Sequence, residues 1–190
     1  MYGAILGDII GSPYEFDRGS KTKDFPLFSG RSEFTDDTVM TIAVADAFLP
    51  VQPDMDDDAI RQRVVVKMQK YGRLYPHAGY GSSFKRFRDS GTRMSPGSTY
   101  NGAVMRVSPV GYLATSLEEC LELAKESALP SHDSPQAIAG AQAAAAAIYM
   151  ARTGATKDEI RDYLEKTFGY DLHRSYDQVR GEILQARANR

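Results

Sequence analysis

Apolar residues recur at steps of three and four along most of this 190-residue chain, and no β-branched run alternates over a convincing length. A period near 3.6 marks a helix with one buried face, whereas a period of two marks a strand. The fold class expected is therefore all-α. Helices are predicted over residues 1–12, 37–48 and 56–73, the last placing Ile60, Val64, Met68 and Tyr71 on one face. Ser116 with Glu119 reads as a capping box, in which two side chains satisfy each other's free backbone N–H groups, before Leu117, Leu121 and Ala124. Ser134 followed by Pro135 opens an alanine-rich helix to about residue 152. Thr156 with Glu159 forms a second box, Gly169 supplies the stop, and a more polar helix covers 175–188.

Gly3, Gly7 and Gly11 fall four apart on the first helix. Three poor helix formers on one face predict the close approach of another backbone. Two stretches, 13–34 and 74–115, are dense in Gly, Pro, Ser and aromatic residues and are expected to be long irregular loops carrying the site. The length suits one domain, 1–190. No apolar run reaches the roughly eighteen residues that would cross a bilayer. The start lacks the basic n-region of a signal peptide, and Cys120 is the only cysteine, so a reducing cytoplasm is expected.

The charge is unevenly placed. Arg61 to Arg106 holds ten Lys or Arg residues against one acid, Asp89, although the whole chain has a net charge of −2. Solvated helix faces explain most charge runs. This one is also rich in Gly, Ser and Tyr, which suits a small phosphorylated ligand, whereas the overall balance argues against nucleic acid.

Asp36 and Asp37 sit in Phe34-Thr35-Asp36-Asp37-Thr38, directly before an apolar helix. Capping is the ordinary reading of such a pair. Two carboxylates beside a Thr hydroxyl are also the oxygen donors that Mg²⁺ or Mn²⁺ takes. Asp8, among Ile5, Leu6, Ile9 and Ile10, needs a partner, because an unpaired buried carboxylate costs several kcal/mol. An Arg, a group of backbone N–H donors or a metal's ligand shell would serve. Glu15 follows in the turn after this helix, so four acids converge if helices 1–12 and 37–48 pack together. Gly97-Ser98-Thr99-Tyr100-Asn101-Gly102 reads as a plain loop or as a phosphate cradle with Arg106 close by. His132 precedes the helix that Pro135 opens.

Taken in order, Gly3 to Ser12 with Glu15, Phe34 to Thr38, Gly79-Tyr80-Gly81, Asn101 to Pro109, and His132 before Pro135 resemble the ADP-ribosylglycohydrolase family. The resemblance covers residues 1–172 and implies an orthogonal multi-helix bundle. It also implies hydrolysis of the glycosidic bond between ADP-ribose and an acceptor, with two divalent cations, Mg²⁺ or Mn²⁺. On that likeness Thr35, Asp36 and Asp37 are metal ligands, with Asp36 and Asp37 catalytic. Glu15 is the mobile catalytic glutamate, Gly97, Ser98, Thr99, Tyr100, Asn101 and Gly102 hold the diphosphate, and His132 contacts ligand. Asp8 and Arg106 stand behind them. The partner implied is ADP-ribose or an ADP-ribosylated protein.

Three departures shape the expectation. Tyr100 stands where the family has Gly, predicting a backbone conflict or a bar to the diphosphate. Ser134 stands where a second His is common, and the family's C-terminal Gly-Gly-Asp-x-Asp-Thr motif is absent. A chain lacking that part is expected to cover its apolar face with a second copy or a partner chain. The rivals to a hydrolase are a relative that holds ADP-ribose or a nucleotide without cleaving it, and a helical interaction protein.

Overall fold

In a computed structural model the described residues are 1–15, 23–49, 55–90 and 97–188. Among them the regular structure is helical throughout, with no strand. The helices are α1 (Tyr2–Gly11), α2 (Asp36–Phe48), α3 (Asp57–Leu74), α4 (Ser82–Ser90), α5 (Ser108–Leu113), α6 (Leu117–Ala128), α7 (Pro135–Arg152), α8 (Lys157–Phe168) and α9 (Tyr176–Ala188). Two single 3-10 turns, Ser12–Tyr14 and Asn101–Ala103, join them. No helix among the described residues is long and apolar enough to cross a membrane.

The predicted punctuation is largely borne out. Thr156 and Glu159 satisfy each other reciprocally, and Gly169 ends α8 at φ 72°, in the left-handed region. Ser134 Oγ accepts from Ala137 N at 3.2 Å and Pro135 occupies the first turn of α7. The Ser116 pattern is half a box. Ser116 Oγ accepts from Glu119 N, but the Glu119 carboxylate turns to the amide and hydroxyl of Thr115 instead of Ser116.

Helix α2 lies at the centre. Val39, Met40, Ala43, Val44, Ala47 and Phe48 are buried around it, so it shows no single apolar stripe. Each large side chain of this kind contributes roughly 1.5–3 kcal/mol on burial. Helices α3, α5 and α6 add Ile60, Val64, Met68, Val110, Cys120 and Ala124 to the same core. Small residues on α7 bring it close to its neighbours. A Cβ on Gly111 of α5 would lie 2.8 Å from the Ala145 carbonyl, so only glycine lets these backbones meet.

Two expectations are corrected. Residues 74–115 are not one irregular loop, because α4, a 3-10 turn and α5 lie within them. The glycine face of α1 meets no other backbone among the described residues: a Cβ on Gly3, Gly7 or Gly11 would find none of their atoms within 4 Å. Helix α1 docks instead through Asp8, its one fully buried residue. The 13–34 stretch, apart from its first turn and residues 16–22 that lie outside the described set, runs without helix into α2.

Candidate functional site

The N-terminus of α2 is organised by Asp8. Its carboxylate accepts Thr35 N at 2.8 Å, Thr35 Oγ1 at 2.7 Å and Thr38 N at 3.1 Å, and also the Thr38 hydroxyl. Of the three partners open to Asp8, the structure selects backbone N–H groups, with two hydroxyls beside them. Ser12 Oγ, just past α1, accepts from Glu33 N at 3.1 Å and fixes the approach to α2.

The cap of α2 is Thr35, whose Oγ1 accepts from Asp37 N at 3.3 Å. Asp36 and Asp37 follow in the first turn and do not cap, so both carboxylates stay free to face a cleft. Among the described residues neither has a Lys or Arg partner. Burial pushes the Asp36 carboxyl up to about 6, the nearby Glu15 and Asp8 charges adding to the rise and a backbone hydrogen bond opposing it. The Asp37 carboxyl is pushed up to about 7, first by burial and then by Asp8, Asp36 and Glu15. The four acids thus converge as the packing of α1 on α2 predicts.

The cleft has a volume of about 520 Å³. Glu15, Asp36 and Asp37 line it together with Ser98, Tyr100, Asn101, Gly102, Arg106 and His132. Met40, Phe84 and Phe87 supply apolar wall. Among the described residues Arg106 is the one basic side chain in the lining, although the sequence places ten in its segment. Arg61 pairs with Glu126, Lys67 with Asp46 and Arg88 with Asp89, so three of the ten are held in ion pairs with residues that do not line the cleft.

The 97–102 loop is tied down from three sides. Tyr100 N donates to Ser98 Oγ at 3.2 Å, Ser134 Oγ donates to the Ser98 carbonyl at 3.0 Å, and Arg106 Nη1 donates to the Gly102 carbonyl at 2.9 Å. Ser134 therefore holds the loop while also capping α7. The backbone conflict expected at Tyr100 does not arise. Its backbone, at φ −71° and ψ 167°, is extended and open to any residue, and its side chain is 81% exposed. Gly102 is the position that must stay bare: a Cβ there would lie 2.8 Å from His132 Cε1 and 2.9 Å from Nε2. Thr99 is exposed and does not line the cleft; Gly97 adopts φ 65° at the loop's start.

His132 and Arg106 are buried beside this loop. Burial and the Arg106 charge push the His132 imidazole down to about 4, against a smaller opposite pull from Asp133. Burial alone lowers Arg106, to about 9, leaving it a cation at neutral pH. Sequence reasoning missed Ser131, which bridges the two and had no signal of its own beyond its place before His132. It also missed Phe84 and Phe87, whose spacing of three was the one trace of α4.

A second acidic group, Asp57, Glu122 and Glu126, brings its oxygens within 4.8 Å of one another. It is the one set of three such ligands among the described residues that reaches this spacing. Arg61 and Lys125 offset two of its three charges, Arg61 Nη2 donating to Glu126 Oε1 at 3.0 Å and Lys125 Nζ to Glu122 at 2.6 Å. It reads as an ion-pair network joining α3 to α6.

Comparison with known proteins gives a consistent result. The sequence model of a family described as ADP-ribosylglycohydrolase matches residues 1–189. An uncharacterized protein, YegU, of Escherichia coli (strain K12) is 30% identical over 187 residues, covering 86% of this chain and 56% of YegU. ADP-ribosylhydrolase ARH3 of Mus musculus is 27% identical over 199 residues, covering 90% of this chain and 52% of that protein. The chain spans about half the length of the curated relatives it matches.

Proposed function

We propose a function from the premise that this match supplies: the chain belongs to the ADP-ribosylglycohydrolase family. The function is hydrolysis of the glycosidic bond joining ADP-ribose to an acceptor. The observation that carries it is a single cleft whose lining includes three acids, Glu15, Asp36 and Asp37, together with a loop of hydroxyls and amides and a buried cation. The loop Gly97–Gly102, backed by Arg106, suits a diphosphate, because bare N–H groups and a guanidinium both favour anionic oxygens. The three acids suit the ribose and the scissile bond.

Asp36 and Asp37 fit a divalent cation. Two half-buried carboxylates without a Lys or Arg partner among the described residues are raised well above their ordinary range, and a cation relieves that. Thr35 Oγ1 adds a third hard oxygen, positioned by Asp8. When bound there, Mg²⁺ or Mn²⁺ supplies Lewis acidity toward sugar oxygens. The chain's own carboxylates stabilise the positive charge that develops on the sugar, and Glu15 takes a proton from water.

A second reading, holding ADP-ribose without cleaving it, has one observation in its favour. Among the described residues Glu15, Asp36 and Asp37 do not bring three ligand oxygens within 4.8 Å of one another, as Asp57, Glu122 and Glu126 do. Release of ADP-ribose from Arg- and Ser-linked substrates, assayed with Mg²⁺ or Mn²⁺ and again in EDTA, separates the two. Cation-dependent release that Asp36→Ala abolishes supports hydrolysis. Saturable binding without release would leave the holding reading, and silence in both assays would overturn both.

A further inference from the structure

Arg106, Ser131 and His132 form a line of hydrogen bonds in the cleft wall. Arg106 is 1% exposed, and its Nη2 donates to the Ser127 carbonyl at 2.9 Å and to Ser131 Oγ at 2.8 Å. Ser131 Oγ in turn lies 2.8 Å from His132 Nδ1. A guanidinium only donates, so Ser131 Oγ must accept from Arg106. The hydroxyl is left with one proton and one lone pair to share with Nδ1.

Two arrangements are open to that pair. If Nδ1 carried the ring proton, it would donate to Ser131, and the hydroxyl proton would have no acceptor among the described residues. Leaving a buried donor unmet costs about 1–3 kcal/mol. If Nδ1 is bare, the hydroxyl donates to it and both Ser131 Oγ and Nδ1 are matched, while Arg106 Nε lacks a partner among the described residues in either arrangement. The ring proton then sits on Nε2, which has no hydrogen-bond partner among the described residues, on a ring that lines the cleft.

We propose that Arg106 and Ser131 lock His132, which the family resemblance already sets against the ligand, as the neutral tautomer protonated on Nε2, so that it meets the diphosphate only as a hydrogen-bond donor. The ligand half rests on the ADP-ribose reading given above; the tautomer half does not. Gly102 holds the ring from the other side, since its backbone lies where a Cβ would strike Cε1 and Nε2. The low proton affinity of the buried ring, set by burial and by Arg106, keeps it neutral near pH 7. With Nδ1 occupied and Nε2 already protonated, His132 recognises ligand and does not take up a proton. Ser131 and Arg106 are positioning residues.

The test is the ring-nitrogen spectrum of the whole chain labelled with 15N-histidine at pH 7, first alone and then with ADP-ribose. His77 is exposed and gives the reference signals, whereas His173, also exposed, pairs with Glu165 through Nε2 at 3.3 Å. The expected result is a bare Nδ1 and a protonated Nε2 on His132 in the wild-type chain, with the Nε2 proton moving when ADP-ribose is added. Ser131→Ala is expected to return the ring to a tautomer mixture and weaken ADP-ribose roughly tenfold, the size of one hydrogen bond. A protonated Nδ1 in the wild-type chain overturns the lock without any variant having to fold. So does a ring state unchanged by Ser131→Ala. ADP-ribose that binds without moving the Nε2 proton overturns the ligand half. A locked ring in a chain that does not bind ADP-ribose supports the tautomer half and overturns the ADP-ribose reading.

Discussion

The Asp8 carboxylate holds Thr38, thirty residues along the chain, by both its amide and its hydroxyl. With the two bonds from Thr35, this makes one acid of α1 the acceptor for the free N–H groups of α2. Asp8→Ala should therefore destabilise the fold by about 2–4 kcal/mol, because it strands four buried donors at once. Asp8→Asn keeps one acceptor oxygen, enough for the three donors that share Oδ2, and should cost about 1 kcal/mol. Urea midpoints at constant slope measure both. Equal losses for the two variants would mean that charge, not hydrogen-bond acceptance, joins α1 to α2.

Asp36 and Asp37 give the chain a distinctive pH dependence. Their folded values, about 6 and about 7, lie above the ordinary carboxylate value of 3.8. Between roughly pH 4 and pH 7 the folded state thus binds more protons than the unfolded chain, so these groups make stability fall as pH rises. In EDTA the melting temperature of the wild-type chain should drop across that window. Asp37→Asn should flatten the profile and melt higher than wild type at pH 8, while losing any cation-dependent activity. A saturating divalent cation should raise the wild-type melting temperature at pH 8 and leave Asp37→Asn nearly unmoved. A variant profile as steep as the wild type would remove Asp37 from the site's electrostatics.

How legible the site was in the sequence depended on distance along the chain. Local signals were read correctly where neighbours decide the outcome, as at Ser134 and the Thr156–Glu159 box. The convergence of Asp8, Glu15, Asp36 and Asp37 followed from a single packing assumption that the structure meets. The Asp8 partner could be narrowed to three kinds but not chosen, because it lies 27 to 30 residues away. The glycine face of α1 misled for the same reason: spacing shows that a face is bare, not what lies against it. Tyr100 misled through analogy, since the strain assigned to it requires a positive φ that its extended backbone does not have.

Gly102 sets the fit between the 97–102 loop and His132. Gly102→Ala places a methyl group 2.8 Å from His132 Cε1, with a buried ring that has Ser131 at its other side. Either the ring leaves Ser131 or the loop shifts, at a cost of about 1–3 kcal/mol. ADP-ribose affinity measured by calorimetry should fall at least tenfold, with the His132 ring signals displaced. Gly81→Ala is the matched control, because a Cβ there meets nothing within 4 Å. Unchanged affinity in Gly102→Ala would show that ligand does not use this part of the cleft.

The Asp57–Glu122–Glu126 group tests whether acid clustering alone marks a metal site in this chain. Glu126 is fully buried and paired with Arg61, while Lys125 sits between Glu122 and Glu126. Breaking a buried pair by removing one partner costs about 3–5 kcal/mol, and Arg61, being partly exposed, recovers some of that from water. Glu126→Gln should therefore destabilise by about 2–3 kcal/mol, read from urea unfolding. Its shift in melting temperature on adding Mg²⁺ or Mn²⁺ should equal that of the wild-type chain, because the cation effect arises at Asp36 and Asp37. The two variants thus predict opposite patterns: Glu126→Gln loses stability and keeps the cation response, Asp37→Asn keeps stability and loses the response. A cation response that vanished in Glu126→Gln would move the metal to the α3–α6 junction and away from the cleft.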